Sequence, residues 1–235
     1  MLAIYKRELK AYFTGVIGYA FLVIYLLVAG VVFCSTTLYS MSADMTSYFT
    51  LMLLFSAVML PLLTMKSFSE ERKMKTEQLL LTAPVRLTSM VFGKLLASLT
   101  VYYGVTVLTS LYFLFLVPYT QMKWALLIGN VIALLLVGTV FICIGLFTSS
   151  LTENQLSAAV GTIAIILVFL GAGLINSFLP STYWLRYVFD AISVFTRFQN
   201  FVNGVFDLAS LFYYLSVSAV FVWLTVRIYD RRRFN

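Results

Sequence analysis

The side chains that could do chemistry in this chain are few and concentrated. It has no histidine, and Cys34 and Cys143 both fall inside apolar runs, so no zinc constellation, Cys–His dyad or disulfide framework can be assembled. Gly93-Lys94 has no glycine five residues before it and no Ser or Thr after it, so no phosphate loop is completed and the chain does not supply its own ATPase. Arg186 with Asp190 reads as a surface ion pair rather than as an acid and a base. What remains is one densely charged block running from Lys66 to Arg86, with Glu70, Glu71, Arg72, Lys73, Lys75 and Glu77 close together. With no nucleophile or metal ligand beside them, these groups offer polar recognition of a soluble partner. The plainer alternative is a solvated linker.

An element has to present that block. Ser67 with Glu70 three residues on is a capping-box pattern, which predicts a helix starting near Ser69. Glu71 with Lys75 and Lys73 with Glu77 are opposite-charge pairs at i,i+4, each worth about 0.2–0.5 kcal/mol on an exposed helix. Phe68, Leu79, Leu80 and Leu81 add apolar surface, and Pro84 ends the segment. The expectation is a short amphipathic helix over 69–84, lying along or just beyond a membrane face.

The membrane follows from composition. The chain is 62% hydrophobic, 17% aromatic and 11% charged, with a mean hydropathy of +0.98, which excludes a soluble domain. Six apolar runs are predicted to cross: 16–38, 48–65, 95–117, 124–147, 156–175 and 208–228. The first is about 34 Å long as a helix, too long for a secretory leader and without a small-residue cleavage site. Residues 1–13, mixing Lys6, Arg7, Glu8 and Lys10 with apolar side chains, suit an interfacial helix. The fifth run carries Ala158, Ala159, Gly161, Ala164, Gly171, Ala172 and Gly173, which predicts a helix packed closely in the bundle or at a subunit interface. Thr148 to Gln155 reads as a tight polar loop. Residues 176–207 fit neither a span nor a polar loop: Leu185, Val188, Phe189, Ile192 and Phe195 share one helical face, with Arg186, Asp190, Ser193 and Arg197 opposite.

Charge sets the orientation. With the amino terminus cytoplasmic, every Lys and Arg except Lys123, Arg186 and Arg197 lies inside, including the charged block and both termini. The net charge of +7 is therefore read as topology, and nucleic acid is not an expected partner. No predicted span carries an ionisable side chain in its interior, which argues against ion-coupled transport.

On the residues Glu71-Arg72-Lys73-Met74-Lys75-Thr76-Glu77-Gln78-Leu79-Leu80-Leu81-Thr82-Ala83-Pro84 the chain resembles the permease subunits of type-2 ABC exporters, which often carry Glu-Arg, then Gly-Thr-x-Glu-x-Leu-Leu, then a proline. Lys75 stands where that glycine is usual, so a more regular helix is expected here. Gly145 to Gln155 and Phe198 to Asp207 are similar to the branch that includes gliding-motility-associated permeases. The resemblance implies an all-α fold of six spans with an N-terminal interfacial helix, a cytoplasmic coupling helix between spans two and three, and an external amphipathic hairpin before span six. It implies a single permease domain over 1–235 in a bacterial plasma (inner) membrane, without catalytic, cofactor or metal residues. Its partners would be a cytosolic ATP-binding-cassette ATPase holding ATP and Mg, a second permease copy (homodimer or heterodimer), membrane lipid, and room for a membrane-anchored auxiliary subunit outside. ATPase docking falls to Glu70, Glu71, Arg72, Thr76, Glu77, Leu79 and Leu80. An external gate or partner platform falls to Trp184, Arg186, Phe189, Asp190, Phe195 and Arg197. The implied function is ATP-driven export of an amphipathic or lipid-like substrate. The alternative is a scaffold that relays ATPase-driven movement to an external protein and conducts nothing.

Overall fold

The computed structural model describes residues 1–39, 45–76, 87–119, 123–178 and 192–234, with 174–178 and 233–234 as backbone. Among these residues there is no strand, and six helical stretches are long and apolar enough to cross a bilayer. The elements are α1 (Leu2–Thr14), α2 (Val16–Phe33) with a π-helical turn at Cys34–Leu38, α3 (Met45–Thr64), α4 (Lys66–Lys73), α5 (Leu87–Ser110) with a 3₁₀ turn at Leu111–Leu116, α6 (Trp124–Leu151), α7 (Gln155–Phe178), α8 (Val194–Val202) and α9 (Leu208–Phe234).

Helix α6 is the centre. It is the most apolar of the spanning helices and the most buried, and α3, α4, α5, α7, α8 and α9 all pack on it. Glycines make room for side chains of neighbouring helices. At Gly145 on α6 a Cβ would collide with the Thr64 side chain of α3, and at Gly93 on α5 it would come within 2.9 Å of Ile4 on α1. Buried hydroxyls find partners across the bundle: Tyr25 bonds Ser56 at 3.0 Å and Tyr102 donates to the Leu134 carbonyl at 2.9 Å. At one end of the bundle Phe33, Tyr48, Phe49 and Phe113 form an aromatic cluster with ring centroids 5.0–5.8 Å apart along its Phe113 contacts.

Several elements depart from the sequence-based expectation. The third helix starts at Leu87, earlier than 95, which brings Lys94 inside it. Helix α6 runs through Thr148, Ser149 and Ser150, all buried, so the expected polar loop shrinks to 152–154. In α8 the buried stripe is Val194, Phe198, Phe201 and Val202, with Ser193 as the N-cap accepting the Thr196 N–H at 3.1 Å. Of the stripe anticipated through Leu185, Val188, Phe189, Ile192 and Phe195, the first three lie outside the described residues; Ile192 is helical and exposed, Phe195 is half-buried on α8, and the non-helical Ser193 separates the two. On α7, Ala158, Ala159 and Ala172 are buried, while Gly161 and Gly171 face open space.

Candidate functional site

The charged block is helical from Lys66 to Lys73, following α3 after the single residue Met65. Its first turn has backbone N–H groups without partners inside the helix. The capping box expected from Ser67 and Glu70 does not form. Ser149, on α6, performs that task from outside: its Oγ accepts the Phe68 N–H at 3.0 Å and the Ser69 N–H at 3.1 Å, and its hydroxyl donates to the Met65 carbonyl at 3.1 Å. One donor and two lone pairs are thus all used on a single helix end. The helix then stops. Met74 and Lys75 lie in a turn, and Lys75 has φ 55, the left-handed conformation that glycine adopts freely. The regular helix expected there, because lysine replaces the usual glycine, is not what forms; lysine is held in a glycine-like geometry.

Inward of α4 lies the feature that sequence reading missed. Lys94, two turns into α5, is only 1% exposed. Its ammonium donates to the Ser67 carbonyl at 2.6 Å and pairs with Glu8 at 3.2 Å and Glu71 at 3.0 Å, and it lies 5.0 Å from the centroid of the Phe68 ring. Arg7, from α1, completes the cluster with bonds of 2.6 Å to Glu8 and 2.8 Å to Glu71. Two cations and two carboxylates from α1, α4 and α5 neutralise one another, as buried charges require. The expectation that no span holds an ionisable group is corrected by Lys94. Its one sequence cue is a lysine followed by a long apolar run; its partners are far away in the chain.

A second set of contacts joins α4 to the carbonyl end of α6. Arg72 donates to the Leu151 carbonyl at 2.6 Å and pairs with Glu153 at 3.1 Å, while Arg232 of α9 donates to the Ser150 carbonyl at 2.7 Å. Two guanidiniums thus serve the negative end of one helix dipole. Phe68 is buried against Tyr229 of α9 at 5.0 Å. On the α1 side, Tyr12 shares a 3.0 Å hydrogen bond with Ser98, and burial pushes its phenol up to about 12, so it stays neutral.

Of the docking residues expected from sequence, Glu71 and Arg72 are therefore engaged inside the chain, and the Thr76 hydroxyl donates to the Glu71 carbonyl at 3.2 Å. Glu70 is half-buried. What faces outward is the tip, Lys73, Met74 and Lys75, with Met74 66% exposed. Glu77, Leu79 and Leu80, and on the other side Trp184, Arg186, Phe189 and Asp190, lie outside the described residues. Phe195 is half-buried, and the Arg197 guanidinium stacks 4.3 Å from the Tyr213 ring centroid. Nearby, Asp207 caps α9 by accepting from the Ala209 N–H at 2.9 Å and the Ser210 hydroxyl at 2.7 Å; the Ser210 bond, first, lowers its carboxyl below the ordinary range.

Comparison with known families gives one match of wide coverage: a model described as "ABC-2 family transporter protein" aligns with residues 31–227. No curated protein matches the chain.

Proposed function

Because this chain belongs to the ABC-2 transporter family, and so is an integral membrane permease of an ABC transporter, we propose that it couples ATP hydrolysis on a separate cytosolic ATPase to export of an amphipathic or lipid-like substrate. The observation that carries this reading is the division of labour within the charged block. Its root is fixed to α1, α5 and α6 by Ser149, Lys94 and Arg72, while its tip is left exposed. A segment that only linked two spans would need no such fixation.

In this proposal the tip, Lys73-Met74-Lys75, together with Glu77, Leu79 and Leu80, enters a groove on the ATPase, which holds the ATP and Mg. Glu71 and Arg72 act behind the contact, passing its displacement to α5 and α6. The positive charge of the block and both termini supports a cytoplasmic position for them, and the family resemblance supports a bacterial inner membrane. A second permease copy, identical or closely related, completes the transporter. Aromatic-rich spans, in which the buried Lys94 is already paired with Glu8 and Glu71, favour an amphipathic cargo over a small ion.

A second reading has its own support. Helix α8 packs on α6, whose other end meets α4, so movement could be relayed to an external partner with no solute conducted, as the resemblance to gliding-motility-associated permeases implies. Purification of the solubilised chain from its native membranes tests the first premise of both. An ATPase is expected to accompany it at roughly one to one and to be lost when Lys73 and Lys75 are reversed to Glu. Retention of the ATPase by that variant would overturn the docking assignment. Substrate-stimulated hydrolysis in vesicles then separates export from relay.

A further inference from the structure

Between α1, the start of α2 and the root of α4 lies a cavity of about 390 Å³, within the size range of small-ligand sites. Its wall is apolar toward Ile17 and Leu63 and polar toward Tyr12, Glu8, Lys66 and Glu70. Glu8 is already neutralised by Lys94 and Arg7. Lys66 and Glu70 differ. They are half-buried, they stand one helical turn apart on α4, and they form no ion pair with each other or with any other described residue. A lysine followed by a glutamate at i,i+4 is placed to pair across one helical turn, and here the two do not.

The cavity thus presents one unpaired cation and one unpaired anion above an apolar floor, at the joint between an amphipathic helix and a membrane span. We infer that it is a binding site for one zwitterionic aminophospholipid, the phosphate on Lys66 and the primary ammonium on Glu70, with the acyl chains leaving over Ile17 and Leu63. Both charges are needed by such a headgroup. An anionic lipid would satisfy Lys66 and leave Glu70 facing a phosphate, and the ammonium donates the charge-assisted hydrogen bonds that a carboxylate accepts. The bound lipid would bridge α1 and α4 beside the Lys94 cluster. The inference requires only that the chain sits in a membrane; it does not depend on the ATPase reading.

The test is native mass spectrometry of the delipidated full chain, titrated in detergent with dihexanoyl phosphatidylethanolamine or dihexanoyl phosphatidylglycerol. One ethanolamine lipid per chain is expected to bind, with the glycerol lipid about tenfold weaker. Glu70→Gln and Lys66→Gln should each weaken ethanolamine-lipid binding about tenfold. The melting temperature should hardly move, since neither side chain has an ion-pair partner among the described residues, and Lys73→Gln on the tip should bind as the parent does. Equal binding of the two lipids, or unchanged binding by both cavity variants, would overturn the site. So would a Glu70→Gln chain that loses the ATPase but keeps the lipid, because Glu70 would then serve docking instead.

Discussion

The two ends of the helical bundle are joined by different forces. At the α4 end, α1, α4, α5, α6 and α9 are fastened by directional contacts, a buried lysine among carboxylates, a serine spent wholly on one helix terminus, and two arginines on the carbonyls of α6. At the opposite end Phe33, Tyr48, Phe49 and Phe113 meet ring against ring. Charge-assisted bonds fix angle and register, and lose most of their energy when a partner shifts by an ångström or so. Aromatic contacts are broad and accept several arrangements. The contrast separates an end held in one geometry by directional bonds from an end whose contacts tolerate several.

Lys94→Met should break this contrast most severely. It leaves the carboxylates of Glu8 and Glu71 with Arg7 alone to answer both, and removal of one partner from a buried ion cluster costs about 3–5 kcal/mol. The expected result is the largest fall in melting temperature of any single substitution in the junction, recovered in part when Glu8→Gln and Glu71→Gln are added. Ser149→Ala comes next. It strips the Phe68 and Ser69 N–H groups of their acceptor, at about 1–3 kcal/mol, and should speed both hydrogen exchange at those amides and tryptic cleavage after Lys73. At the other end, Phe113→Leu forfeits ring contacts worth about 0.5–1.5 kcal/mol, and exchange at Phe68 and Ser69 should stay as it was; acceleration there would show that the two ends are not independent. The smallest effect is expected of Glu153→Gln. Its side chain is 65% exposed, and solvent screening holds the loss of the Arg72 pair to about 0–1 kcal/mol in a melt.

The same contrast explains what could be read from the sequence. Hydropathy alone marks six spans, since each depends on a local run of apolar side chains. Their ends were less legible: α5 takes in Lys94 and α6 takes in Thr148 to Ser150, because the charge and the hydroxyls meet partners brought by other helices. A capping box is a local signal, and here it was displaced by Ser149, a serine 80 residues from the amide it serves. The charged block stood out by composition, yet which of its side chains face inward depends on Glu8 and Lys94, 86 residues apart. Lys75 shows the opposite failure. The residue type argued for helix and the backbone took the left-handed turn.

Helix α6, 28 residues long, spans about 42 Å at 1.5 Å per residue. Near its Leu151 end it receives α4, and it also carries α8. It is thus a pushrod with fittings at both ends. Close-packed interiors have low compressibility, so in the relay reading proposed above a displacement at the root of α4 would be carried along α6 toward α8 without any cavity having to open along the way.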